Sequence, residues 1–287
     1  MKFNLINYFA CPICRGALSL LVTKKTRERI LEGKLRCKKC NKKFFIKNGT
    51  AFFVPSPEKQ TAKKMHKLRQ ITLKQEIPKK WMRLFSKQEL AALKKEWGWM
   101  SSTIKKGKGA VHLDFATGTG RFLRDIILRT KGEIIVLDYG YSTCLELQYF
   151  LKKIRKYSRV SIICANARNM PFRDGVFSSV SSWHGLDEPK MKETIKEARR
   201  VLKNGTWFTA SGIHYKRESK SFLIAREHNI QLITKKSVTQ TLKRVGFRKI
   251  QHRTFFQGRW SEKKSYLPVL GDFYSSYAIK AKKQGFK

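Results

Sequence analysis

Residues 111–122 read VHLDFATGTGRF. The first five residues suit a buried strand, and the strand runs directly into a turn that carries Gly118 and Gly120. Glycines at such a point let the backbone come very close to a ligand. In an open α/β sheet, ligands sit at the carboxyl ends of the strands, near the point where the strand order reverses. A dinucleotide fingerprint would need a third glycine, and Leu123 stands in its place. An acid, Asp114, lies on the strand itself, and a second strand, IIVLD, ends in Asp138, twenty positions after Gly118. A carboxylate placed there can accept two hydrogen bonds from a ribose diol. The pocket therefore favours a nucleoside without the full pyrophosphate signature.

Around this turn, strands and helices alternate. Strands are expected at AVHLDFA, EIIVLD, VSIICAN, VFSSVSSW and TWFTASG, followed by RKIQHRTFF and SSYAIKAKK. Helices are expected in GRFLRDIILRT, STCLELQYFLKKIRKY, KMKETIKEARRVLK and TKKSVTQTLKRVG. Such alternation predicts a doubly wound, mostly parallel sheet. The last two strands have no helix between them and are expected to pair as an antiparallel hairpin at one edge. Three regions follow: a cysteine-bearing module over 1–55, a lysine-rich and mostly helical linker over 56–107 with a break at Pro78, and the α/β domain over 108–287. In the linker, Ser86 with Glu89 fits a capping box.

Over residues 108 to 287 the pattern resembles the class I S-adenosylmethionine-dependent methyltransferases. Their first motif, (E/D)-x-(G/A)-x-G-x-G, corresponds to Asp114-Phe115-Ala116-Thr117-Gly118-Thr119-Gly120. Met170-Pro171-Phe172 matches a common (L/M)-P-F tract, VFSSVSSWH matches the strand beside the donor methyl, and EARRVLKNGTWF the usual helix, turn and fifth strand. The resemblance implies a Rossmann-like seven-stranded sheet and S-adenosylmethionine as cofactor. It implies that Asp114 orients the methionine amino group, that Ala116, Gly118 and Gly120 admit its backbone, and that Asp138 binds the ribose. Tyr139, Asn166, Ala167 and Ser182 complete the implied cofactor set. Asn166 stands where the family usually has Asp, and its amide can still accept from the adenine amino group.

Four of the six cysteines form two knuckles, Cys11-Pro-Ile-Cys14 and Cys37-Lys-Lys-Cys40. This spacing suits tetrahedral Zn²⁺ with four thiolates, which leaves no open position and makes the metal structural. A module of roughly 50 residues cannot easily hold itself together without such a staple. Cys144 and Cys164 lie in apolar surroundings and read as buried core thiols. The run from Cys11 to Pro55 resembles the small zinc-ribbon module that accompanies many class I methyltransferases, with Phe45 and Thr50-Ala51 as departures from its usual ending. A ribbon followed by a methyltransferase domain is also the layout of the large-subunit rRNA guanine-N1 methyltransferases.

The chain of 287 residues carries 63 Lys+Arg against 20 Asp+Glu, a net charge of +43. The excess is spread along the chain: 13 basic and 2 acidic residues in 1–55, 15 and 4 in 56–110, 35 and 14 in the remainder. Such a field attracts polyanions, RNA or DNA first and anionic membrane surfaces second. Lys38, Lys39, Lys42 and Lys43 around the second knuckle are candidate RNA contacts. Trp81, Phe85, Trp97 and Trp99 interleave with the lysines of the linker, and packing onto the core is the favoured reading for most of them. No stretch has the roughly 18 apolar residues of a membrane span. The N-terminal apolar run is too short for a signal peptide, and the expected location is cytoplasmic.

The fourth strand bears on the acceptor. It lacks the N/D-P-P-Y/F tetrapeptide of amino-group methylation, and Cys144 and Cys164 lie before it, away from where cytosine C5 chemistry needs a nucleophile. Direct attack on the methyl by a ring nitrogen, oxygen or carbon remains, with alignment as the main catalytic device. Trp183 and His184 fall on the acceptor side: Trp183 to stack on a base, or as plain core, and His184 to take a proton near neutral pH, or as a turn histidine. Asp187 and Glu188 follow closely. The first expectation is an RNA methyltransferase acting on a base of rRNA or tRNA. The alternatives are a methyltransferase for quinones or other small metabolites and a non-catalytic RNA-binding assembly factor.

Overall fold

A computed structural model describes residues 1–54, 85–186, 190–228, 230, 233–261 and 267–285. The helical expectation before residue 85, with Pro78 and Trp81, lies outside the described residues, as do Asp187 and Glu188. The N-terminal module is a 3₁₀ turn, Phe3–Tyr8, and four strands: β1 Leu18–Lys25, β2 Ile30–Cys37, β3 Lys43–Lys47 and β4 Thr50–Phe52. Helix α1, Lys87–Ser101, follows. The α/β part then runs β5 Val111–Phe115, α2 Leu123–Arg129, β6 Glu133–Asp138, α3 Tyr141–Lys153, β7 Val160–Cys164, β8 Phe177–Ser182, α4 Met191–Val201 and β9 Leu202–Tyr215. It ends with α5 Lys220–Glu227, α6 Lys235–Val245, β10 Phe247–Arg259 and β11 Phe273–Lys283. Helix α5 has no counterpart among the sequence expectations.

The seven α/β strands lie in the order β7-β6-β5-β8-β9-β11-β10. Strands β5 to β9 are parallel, and β10 and β11 form the antiparallel hairpin at the edge. The order reverses between β5 and β8, the point at whose carboxyl ends open α/β sheets place their ligands. Central parallel strands are covered on both faces, and every residue of β5, β7 and β8 is buried. β8 achieves this with a serine-rich sequence, FSSVSS, because its hydroxyls are used. Ser178 Oγ accepts from Val111 N at 3.3 Å. His112 bonds Ser179 Oγ at 2.8 Å and Ser181 Oγ at 3.0 Å. Ser182 Oγ donates to the Phe115 carbonyl at 3.0 Å. Burial pushes the His112 imidazole down to about 3, so it stays neutral inside this ladder.

The N-terminal module continues the same sheet. β4 pairs in parallel with β7, Ala51 opposite Ile163 and Phe52 opposite Cys164, which gives eleven strands in all. One apolar cluster runs through Leu5, Phe9, Ile30, Leu35 and Ala51 into Leu113, Ile163, Phe172 and Phe177. Phe9 packs face to face with Phe172 at 5.8 Å and edge-on to Phe53 at 5.1 Å. Arg29 donates to the carbonyls of Tyr157 and Val160, both at 3.0 Å, and lies 4.1 Å from the centre of the Tyr157 ring. Arg15, directly after Cys14, donates to the Met170 carbonyl and to Asn169 Oδ1 at 2.8 Å and pairs with Glu197 at 2.9 Å.

Helix α1 starts with the expected capping box: Glu89 N donates to Ser86 Oγ at 3.2 Å and Ser86 N to Glu89 Oε2 at 2.8 Å. It lies against the terminal hairpin. Tyr274 donates to Glu89 Oε1 at 2.7 Å, Lys280 donates to Ser102 Oγ at 2.8 Å, and the Lys280 ammonium sits 3.9 Å from the centre of the Trp99 ring. Cys144 and Cys164 are buried, as their apolar surroundings imply. Phe9 is fully buried where the two parts meet, so Phe9→Ala is expected to lower the unfolding free energy by about 3–5 kcal/mol, read from denaturant titration.

Candidate functional site

The four knuckle cysteines come together. Their Sγ atoms all lie within 4.8 Å of one another, with Cys11–Cys40 at 3.7 Å and Cys14–Cys37 at 3.4 Å. Thiolates on a tetrahedral Zn²⁺ at about 2.3 Å sit about 3.8 Å apart, so the cluster fits that ion. Each knuckle closes the same way. Arg15 N bonds the Cys11 carbonyl and Asn41 N the Cys37 carbonyl, and both residues after the knuckles are left-handed, at φ 61° and 58°. The amides of Lys39 and Cys40 point at Cys37 Sγ, both at 3.4 Å, as second-layer donors to a thiolate do. Gly16 has no room for a side chain: a Cβ there would stand 2.8 Å from Lys39 Cβ and 3.0 Å from Cys37 Sγ.

Of the residues expected at the cofactor, Asp114 and Ser182 lie near the carboxyl ends of β5 and β8, and Gly118 lies in the turn after β5. Asp114 is buried and accepts from Ser181 Oγ at 2.5 Å. Burial, with the nearby charge of Asp138 adding, pushes its carboxyl up to about 7 against the pull of its hydrogen bonds from Ser181 and Thr117. Among the described ion pairs none reaches it, so a cation brought into the cleft would find a buried carboxyl waiting. Gly118 has φ 57°, and a Cβ there would meet nothing within 4 Å, so the turn faces open space where a ligand can approach the backbone. Gly120 differs. A Cβ there would stand 2.7 Å from Leu147, so this glycine lets the turn close onto α3.

Asp138 joins the turn to the end of β6: Oδ2 accepts from Gly118 N and Oδ1 from Gly140 N, both at 2.9 Å. Tyr139 beside it is half exposed. Asn166 Oδ1 accepts from Arg168 N at 2.9 Å and Arg168 Nε at 3.3 Å, capping the short turn Ala167–Asn169. The amide oxygen assigned to the adenine amino group is thus engaged by its own turn. Ala116 is left-handed, at φ 50°. The turn after β8 packs onto it: a Cβ at Gly185 would stand 2.5 Å from Ala116 Cβ and 2.3 Å from Ser182 Oγ.

Trp183 and His184 sit in that turn, with ring centres 4.4 Å apart and nearly perpendicular. Trp183 meets Trp97 of α1 edge-on at 5.6 Å and donates through Nε1 to Glu96 Oε1 at 3.0 Å. His184 was expected to take a proton near neutral pH or to serve as a turn histidine. Burial, with the charge of Arg121 adding, pushes its imidazole down to about 3, so the ring stays neutral. Sequence reasoning also placed α1 in a linker and missed Glu96. Glu89 and Glu96 are seven residues apart, two helical turns, and both face inward; that spacing was the available signal.

Residues 113–205 match the family model described as a methyltransferase domain, and residues 2–49 match the Trm112p-like proteins. Among curated proteins, the demethylmenaquinone methyltransferase of Bacillus licheniformis is 36% identical over 102 residues, 34% of this chain and 42% of that protein. The ubiquinone/menaquinone biosynthesis C-methyltransferase UbiE of Photorhabdus laumondii is 31% identical over 108 residues, 37% of this chain and 42% of that protein. This chain thus spans less than half the length of either relative. A solved geranyl diphosphate methyltransferase in complex with SAM superposes with a TM-score of 0.56 at 11% identity, covering 66% of this chain and 84% of that one, a likeness of fold. The chain carries a class I S-adenosylmethionine-dependent methyltransferase domain joined to a Trm112-like module.

Two outcomes follow from this geometry. Cys14→Ser is expected to lower bound zinc, measured by elemental analysis, and to lower the melting temperature, with chelator treatment of the wild type doing the same. An ammonium contact needs Asp114 ionised, so S-adenosylmethionine affinity is expected to fall about tenfold per unit as pH drops below about 7. Calorimetry across pH checks this, and Asp114→Asn is expected to weaken binding and flatten the profile.

Proposed function

We propose that this protein transfers a methyl group from S-adenosylmethionine to a small, flat, quinone-like acceptor. The observation that carries the reading is the aromatic wall on the β8 side of the cleft. Trp183 and Trp97, both half-buried, stand beside the turn that packs on Ala116, and Phe122 lies behind Trp97 at 6.4 Å. Such a wall suits a planar ring. The quinone methyltransferases named above add weight to it.

Bound here, S-adenosylmethionine would supply a methyl on a positively charged sulfur. In this reading Asp114 holds the methionine ammonium, the Gly118 turn admits its backbone, and Asp138, keeping its bonds to Gly118 and Gly140, accepts from the ribose hydroxyls. Trp183 packs on the acceptor ring and fixes its distance. The methyl would pass to an acceptor carbon as the donor's carbon–sulfur bond broke, leaving S-adenosylhomocysteine, and the proton displaced from the carbon would go to solvent. Neutral His184 can hydrogen-bond an acceptor oxygen, but burial disfavours its keeping the proton.

A second reading, methylation of an rRNA or tRNA base including guanine N1, is favoured by the net charge of +43 and by exposed Lys38, Lys39, Lys42 and Lys43 on the zinc module. One assay separates the two. The full chain is incubated with radiolabelled S-adenosylmethionine and either 1,4-naphthoquinol or total RNA. Label in the organic extract, with a product one methyl heavier by mass spectrometry, is the expected result. Nuclease-sensitive label in RNA alone, lost steeply as salt is raised, would replace the first reading with the second.

A further inference from the structure

Glu96 is a carboxylic acid in an unusual place. It lies on α1, outside the α/β part, yet it is only 1% exposed and reaches the turn that follows β8. Trp183 Nε1 donates to it at 3.0 Å, and nearby Ser211 and Ser276 ease the burial that pushes its carboxyl up to about 7. Ser211 Oγ in turn accepts from His184 N at 3.2 Å, at a residue held left-handed with φ 59°. Trp97, the next residue on α1, packs nearly perpendicular to Trp183 with ring centres 5.6 Å apart. Burying a carboxyl is costly, and a well-packed apolar side chain would dock a helix at least as well. α1 has other means of docking in the Glu89–Tyr274 and Lys280–Ser102 bonds and the Trp99–Phe255 contact. What Glu96 adds is direction. It fixes the plane of one indole, and His184, the next residue, is held beside that indole by its own bond to Ser211.

We infer that Glu96 is a positioning residue of the acceptor site, holding Trp183 and the His184 turn so that α1 forms one wall of that site. The inference rests on the acceptor reading given above. It makes α1 a determinant of acceptor choice, since a flat ring must fit against an indole that α1 holds still. The donor side is untouched by this contact, because Asp114, Gly118 and Asp138 are held by β5, β6 and β8.

The test uses the full chain and two readouts. The first is hydrogen exchange of the Trp183 indole N–H, followed by NMR of ¹⁵N-labelled protein and assigned with Trp183→Phe. The second is the Michaelis constant for 1,4-naphthoquinol beside the calorimetric affinity for S-adenosylmethionine. Glu96→Leu removes the acceptor oxygen. It is expected to speed exchange at Trp183 and to raise the naphthoquinol KM by about tenfold or more, with cofactor affinity unchanged. Glu96→Gln keeps an oxygen in place and is expected to restore both. Glu89→Gln, which weakens the cap of α1 and its bond to Tyr274 without touching Trp183, is expected to lower the melting temperature and leave the KM alone.

Unchanged KM in Glu96→Leu overturns the inference, and so does an equal loss of cofactor affinity. Should the wild type transfer no methyl to naphthoquinol, the acceptor reading fails by itself. The exchange comparison still decides on Glu96 in that case: faster exchange in Glu96→Leu upholds its hold on Trp183, and equal protection overturns it.

Discussion

Asp114 is a carboxyl group buried between the two central strands, and the cleft is organised around keeping it there. A lone acid in that position would be strongly penalised. β8 answers with Ser181, whose hydroxyl donates to Asp114, and with Ser179, which joins Ser181 in holding the neutral His112 of β5. These bonds tie β5 to β8 at the point where the strand order reverses. The same register brings the turn after β8 onto Ala116, and so the Trp183–His184 pair beside the glycine turn. The glycine turn after β5 and the aromatic pair beside it are thus two consequences of one polar ladder inside an otherwise apolar sheet.

The cysteine module and the α/β part are coupled through backbone and arginine. Strand β4 extends the sheet at β7, and Arg15, positioned by the first knuckle, grips Asn169, Met170 and Glu197. Glu197 also accepts from Met170 N at 2.7 Å and from Arg200, so the loop after β7 is held from the zinc module and from α4 together. That loop begins at Asn166. The four-cysteine module therefore bears on that loop, which makes the module and the sheet one mechanical unit.

Much of this was readable in the amino-acid order. The two CxxC knuckles, the strand–glycine–helix turn with Asp114 before it and Asp138 twenty residues after Gly118, the alternation of strands and helices, the edge hairpin and the capping box at Ser86 all depend on local spacing. Local spacing is what fixes cysteine reach, turn conformation and helix ends. The acceptor side was less legible. Trp183 and His184 were placed by resemblance, but the state of His184 depends on burial and on Arg121, neither of which is a property of its neighbours in sequence.

By itself the sequence determined a four-cysteine cluster with the spacing of a zinc site, a strand–glycine turn flanked by two acids, and the strands that carry them, because each is written in short-range patterns. The tertiary structure decided that the module continues the sheet and that serine-rich β8 is its core. It also decided that Asn166 spends its oxygen on its own turn. Finally, it brought Glu96 from a lysine-rich stretch to the indole of Trp183, 87 residues later. Each of these depends on which distant groups share a buried, low-dielectric space, and in such a space the partner sets the cost of a polar atom.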